Sequence, residues 1–84
     1  MPNKTRGIVA VSARRVDAII TRLGLTNRAL AKRMRNKHTG ALGSDETSLS
    51  RTLNRIRDGY RVNPDTAARL AEALGVKIED ILKG

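Results

Sequence analysis

The chain has 84 residues and a formal net charge of +9, from 17 Lys and Arg against 8 Asp and Glu, with no Cys, Phe or Trp and a single Tyr. That length gives one domain near the lower limit of independent folding, with an aliphatic core too small to enclose a large enzyme pocket. The missing cysteines exclude a disulfide frame, a zinc–cysteine centre and a thiol nucleophile and suit a reducing cytoplasm, and no apolar run reaches the roughly 20 residues of a membrane span or the apolar block of a signal peptide.

Residues 1–11 read as a basic N-terminal arm: Lys4 and Arg6 precede Gly7, and Ile8-Val9-Ala10-Val11 is a β-branched run suited to a short strand or a packed extended segment. Ser12 caps a first helix reaching Leu23, with Val16, Ile19, Ile20 and Leu23 on one apolar face and Gly24 as its stop. Thr26 caps a second helix, apolar along Leu30, Ala31 and Met34 and basic along Arg28, Lys32, Arg33 and Arg35. From Asn36 to Gly43 the periodicity fails and two glycines intervene, which predicts a loop. Ser44 or Asp45 then caps a third helix, in which Leu49, Leu53 and Ile56 form the apolar stripe and Ser50, Arg51, Asn54, Arg55 and Arg57 occupy the polar side.

Gly59 ends that helix in a left-handed conformation. Asn63-Pro64-Asp65 starts a fourth helix with a cap residue, a proline at the first helical position and an acid at the positive end of the dipole. Ala67, Leu70, Ala71 and Leu74 form its buried stripe, Gly75 ends it, and Val76, Ile78, Ile81 and Leu82 predict a short closing helix. The expectation is an all-α domain of five helices over residues 12–84, without repeats.

The charge is unevenly spread along these elements. Residues 1–63 hold 14 of the 17 basic and 4 of the 8 acidic side chains, a balance of +10, whereas residues 64–84 hold 3 and 4, a balance of −1. A basic helix stopped by glycine on such a chain is suited to the major groove, because cations that neutralise phosphates release counterions. The plain alternative is a merely soluble basic surface.

Thr26-Asn27-Arg28-Ala29-Leu30-Ala31, then Leu53-Asn54-Arg55-Ile56-Arg57-Asp58-Gly59, Pro64 and Ala73-Leu74-Gly75-Val76, resemble the lambda-repressor-like helix-turn-helix family over about residues 16–82. The resemblance implies a compact five-helix bundle containing a helix-turn-helix. The turn would be enlarged, since more residues separate Ala31 from Leu53 than the family's short turn holds: either the second helix runs on to Lys37 and the third starts early, or an exposed loop is inserted.

The same resemblance implies roles. Asn27 would bond a phosphate and brace the recognition helix. Ser50, Arg51 and Asn54, with Arg55 beside them, would meet base edges. Tyr60, Arg61 and Asn63, in the loop after Gly59, would touch the backbone. Chemistry agrees: arginine pairs with guanine and asparagine with adenine through two parallel bonds, and residues 51, 54 and 55 share a helical face. Arg28, Lys32 and Arg57 complete the expected phosphate contacts, and Lys4 and Arg6 form an arm able to reach a groove.

Other patterns have blander readings. His38 stands alone in a polar loop, where a metal would need several ligands. Gly40-Ala41-Leu42-Gly43-Ser44 lacks the lysine and preceding strand of a phosphate-cradling loop. Glu79 and Asp80 suit a helix start better than acid–base catalysis. The sequence therefore predicts a small transcriptional regulator of the phage- or bacterial-type repressor kind, with no sensing domain attached, that binds double-stranded DNA as a homodimer in the cytoplasm or on the nucleoid. It predicts no enzymatic activity, cofactor, metal, membrane or small-molecule ligand. The competing reading is an antitoxin or accessory protein that uses the same fold for protein interaction or non-specific DNA binding.

Overall fold

Aliphatic residues at helical spacing decide the architecture. The computed structural model describes residues 9–36 and 39–83; Lys4 and Arg6 of the expected arm, and Lys37 and His38 of the loop, lie outside the described residues. Four α-helices follow one another: α1 (Ala13–Leu23), α2 (Asn27–Arg33), α3 (Glu46–Arg57) and α4 (Pro64–Leu74). Among the described residues no strand forms, only three isolated antiparallel bridges. No helix there is long and apolar enough to cross a membrane.

Side-chain caps set where three of the helices begin. The Ser12 hydroxyl accepts from the Arg15 amide at 3.2 Å, the Thr26 hydroxyl from Ala29 at 3.1 Å, and the Asp45 carboxylate from Ser48 at 3.0 Å. Each satisfies one amide that the first helical turn leaves unpaired. Asn63 occupies the cap position of α4, but its side chain makes no capping bond there. Pro64, the next residue, has no N–H to satisfy, so α4 begins with one donor fewer.

The closing segment, expected as a fifth helix, makes only a three-residue 3-10 turn, Ile78–Asp80. Asp80 takes the Lys77 amide at 3.1 Å, which gives that carboxylate a structural partner. The chain then straightens to pair with the N-terminal segment: Val11 bridges Leu82, Ser12 N–H donates to the Ile81 carbonyl at 2.7 Å, and Lys83 N–H to Ala10 at 3.0 Å. Val9 and Val62 exchange backbone bonds of 2.7 and 2.9 Å, so Val9 lies against the loop after α3.

One aliphatic core unites the helices. Val16 and Ile19 enter from α1, Leu30 and Ala31 from α2, Leu49, Leu53 and Ile56 from α3, and Ala67, Leu70, Ala71, Ala73 and Leu74 from α4. Val11, Met34 and Ile81 close it from the connecting segments. Each such Leu, Ile or Val contributes roughly 1.5–3 kcal/mol on burial. Leu23, expected on the apolar face of α1, is 43% exposed, because it sits on the last turn, where α1 runs beyond the core.

α2 ends at Arg33, so a long loop, and not a longer second helix, connects it to α3. The two limbs of the loop pair, with Arg35 bridged to Leu42 and the Asn36 amide donating to Ala41 at 2.8 Å. On its return, the Gly43 amide donates to Met34 at 3.0 Å and the Ser44 amide to Ala31 at 2.7 Å. The loop thus leaves and rejoins the helical core at one place, and its length does not separate α2 from α3.

At the end of α3 the Gly59 amide donates to the Ile56 carbonyl at 3.1 Å and the Tyr60 amide to Arg55 at 2.9 Å, the paired bonds of a Schellman ending. That ending requires the φ of +91° seen at Gly59, and a Cβ there would meet no other atom. Gly59→Ala therefore carries a purely conformational cost. We expect a loss of roughly 1–2 kcal/mol, read as a lower midpoint in urea with an unchanged slope.

Candidate nucleic-acid interface

With Leu49, Leu53 and Ile56 buried, the opposite side of α3 is turned to solvent. Residues 47, 51, 54 and 58 form the stripe directly opposite, with 48 and 55 along one edge and 50 and 57 along the other. Arg51, Asn54 and Arg55 are all exposed, and together with Ser48, Thr52 and Asp58 they line a shallow open groove. Three of the four expected base readers thus stand on one accessible face.

Ser50 is placed differently. It is half-buried, and its hydroxyl accepts from Asn27 Nδ2 at 3.2 Å. Asn27 opens α2, so this bond ties the head of that helix to the side of α3. Arg28, the next residue, adds an ion pair of 3.7 Å to Glu46 on the first turn of α3. Both partners are well exposed, so the pair contributes little stability. What the two contacts fix is the orientation of α3 against α2.

The other expected phosphate contacts divide into two groups. Lys32 is exposed four residues beyond Arg28, and Tyr60, Arg61 and Asn63 are exposed in the connection from α3 to α4. Arg55, Arg61 and Asn63, with Thr52 and Thr66, line a polar depression at the side of α3. Among the described residues no ion pair engages Lys32, Arg51, Arg55 or Arg61.

Arg57 does not join this set. Its guanidinium donates to Asp17 Oδ1 on α1 at 2.9 Å. That hydrogen bond, against some loss of hydration and with the help of the opposite charge, holds Arg57 above its ordinary range. It remains a cation throughout the range in which proteins fold. Arg57 anchors α3 to α1, on the edge of the helix away from Arg55.

Arg35 and Arg69 are likewise structural. Arg35 Nε meets Glu72 at 3.1 Å and its Nη1 donates to the Gly40 carbonyl at 3.0 Å, fastening the long loop to α4. Arg69 bonds Asp65 at 3.1 Å and the Arg35 carbonyl at 3.0 Å. Acidic side chains therefore pair with the basic residues that brace the fold, whereas Arg51 and Arg55 make no ion pair among the described residues, with Asp58 the one acid lining their groove.

Comparison of the chain with protein-family models, with curated proteins and with solved structures finds no match. The site has to be read from its own geometry.

One exposed residue of the α3 face escaped the sequence reading. The third helix starts at Glu46, directly after Asp45, one of the two cap residues expected there. Thr47 consequently stands one turn ahead of Arg51 on the outward stripe. The expected cap at Asp45 already implies this, since a helix that begins there presents residue 47.

Proposed function

We propose that this chain is a sequence-specific double-stranded DNA-binding regulator of the lambda-repressor-like, helix-turn-helix kind, with α2 and α3 as the two motif helices. The observation that carries the reading is the open face of α3, where Arg51, Asn54 and Arg55 stand exposed and uncommitted to any acid. Arginine and asparagine are the side chains that pair bidentately with guanine and adenine in the major groove. A helix whose opposite stripe is locked into the core presents them rigidly.

Supporting features surround that face. The Asn27–Ser50 bond braces α3 from α2, the bracing role that the resemblance implies for Asn27, and it uses the Ser50 hydroxyl that was expected at a base edge. Lys32 and Arg61 would offer cations to the DNA backbone, and the Asn27 amide is directed at Ser50 of α3. Tyr60 and Asn63 would add neutral contacts. Val9 is joined to Val62, which sets the first described residue of the N-terminal segment beside the α3–α4 loop. As a repressor the protein would act by occluding a promoter, and a pair of protomers would read two half-sites about one helical turn apart.

RNA or single-strand binding is less well served. Modules of that kind stack bases on aromatic rings, and Tyr60 is the one aromatic side chain in the sequence.

The test is selection of bound fragments from a random duplex pool, followed by binding in graded salt. An enriched motif with two-fold symmetry is expected, and a log–log salt slope of roughly −4 to −5 per protomer if about five phosphates are neutralised. No enriched motif with a steep slope would mean non-specific binding. A slope near zero would point instead to a protein partner.

A further inference from the structure

The first turn of α3 lies ahead of every residue assigned so far to base reading. Asp45 is the cap and Glu46 the first helical residue, so Glu46, Thr47 and Ser48 precede Ser50 within the helix. Two of these three side chains are committed within the protein. Glu46 faces the Arg28 guanidinium at 3.7 Å, and the Ser48 hydroxyl donates to Asp45 Oδ2 at 3.2 Å. Thr47 is exposed, and among the described residues no hydrogen bond engages its hydroxyl. It heads the outward stripe that continues through Arg51 and Asn54.

We infer that Thr47 is a specificity-determining residue that reads one further base pair beyond those met by Arg51 and Asn54, a thymine in contact with its methyl group. The inference rests on the reading of α3 as a recognition helix and adds a residue and a base to it.

Helix geometry separates the two contacts. Four residues at about 1.5 Å each set Thr47 roughly 6 Å ahead of Arg51 along the axis. Base pairs stack at about 3.4 Å, so Thr47 meets a different pair from the one beneath Arg51. In helix-turn-helix docking the N-terminal residues of the recognition helix are the ones that meet base edges, and Thr47 belongs to that end.

Side-chain chemistry selects the base. Threonine carries a methyl group that packs against the C5 methyl of thymine and a hydroxyl that donates or accepts beside it. Cytosine lacks that methyl group. The carboxylates of Asp45 and Glu46 immediately precede Thr47 in the sequence, and negative charge so close makes approach to a phosphate less favourable than approach to a base edge. The remaining neighbours are base edges.

Selection from a random duplex pool with the full chain, run in parallel on wild type, Thr47→Ala, Thr47→Ser and Arg51→Ala, tests this. The wild-type motif is expected to contain a T·A pair one or two positions from the pair whose preference Arg51→Ala removes. Thr47→Ala is expected to flatten the T·A position and to weaken binding to the preferred duplex by roughly fivefold or more. Thr47→Ser, which deletes the methyl group alone, is expected to let cytosine replace thymine there. In both variants the position lost in Arg51→Ala stays intact and the thermal midpoint does not fall. If Arg51→Ala loses a position while Thr47→Ala enriches the full wild-type motif, the assignment of Thr47 is overturned and the DNA reading stands. If wild type enriches no motif, both fall together.

Discussion

Arg51→Ala is expected to lower affinity for the preferred duplex by about 1–3 kcal/mol, roughly 5- to 150-fold, and to relax the choice of base at one position. The size follows from what the guanidinium would lose: two parallel bonds to guanine O6 and N7, made from a helix that cannot move to replace them. Arg51 is exposed, lies on the stripe directly opposite Leu49, Leu53 and Ile56, and has no acidic partner among the described residues. Its removal therefore leaves folding untouched, and the whole effect belongs to binding. Lys32→Ala supplies the contrast. A lysine at a phosphate carries no sequence information, so all duplexes should weaken alike and the salt slope should shrink by about one. Titration of a labelled preferred duplex and a scrambled one, at two salt concentrations, reads both variants. Equal losses on both duplexes for Arg51→Ala would make α3 a non-specific cationic surface.

The contrast between these two positions depends on a division of labour among the arginines that the sequence does not display. Arg28, Arg35, Arg57 and Arg69 each meet an acid, with the partner of Arg35 on α4 and that of Arg57 on α1. Local spacing reveals only the Arg69–Asp65 pair, four residues apart on one helix. The pairs Arg35–Glu72 and Arg57–Asp17 arise from packing between distant segments, which no periodicity encodes. That is why the tie from Arg57 to Asp17 cannot be read from the sequence, which offers Arg57 only as a phosphate contact.

What was legible followed strong local rules. The cap residues Ser12 and Thr26, the proline at position 64 and the stripe of Leu49, Leu53 and Ile56 locate helices and core, because each acts within one or two turns. The long loop was legible only as a loss of pattern. Its limbs are joined by backbone bonds between Asn36 and Ala41 and by returns to Met34 and Ala31, which leave no side-chain signature. The start of α3 was legible in its cap: Asp45, one of the two cap residues the sequence offers, accepts the Ser48 amide, although Glu46, Thr47 and Ser48 precede the first buried residue, Leu49, and no apolar period announces them. The closing 3-10 turn was over-read as a helix because Ile78, Ile81 and Leu82 have helical spacing, whereas Leu82 is in fact bridged to Val11.

Leu53→Ala tests the other half of the argument, that a rigid aliphatic core holds the exposed face in place. Leu53 is 1% exposed, in the middle of the buried stripe of α3. A leucine-to-alanine change at such a site costs about 2–5 kcal/mol, the upper end applying where neighbours cannot collapse into the space. Among the described residues the core contains no aromatic ring to swing inward, and Met34 is the one buried methionine there able to fill a gap. Against a total stability of about 0.05–0.15 kcal/mol per residue, the loss approaches half of what the domain has. The helical circular dichroism signal should melt at least about 10 °C lower than in wild type. At low temperature, where the variant is still folded, its choice among duplexes should be unchanged, since Leu53 faces the core while Arg51 and Asn54 face outward. An unaltered melting point would mean that α3 is not held by that stripe, and a folded variant with altered base preference would mean that the core tunes how the face is presented as well as whether it is.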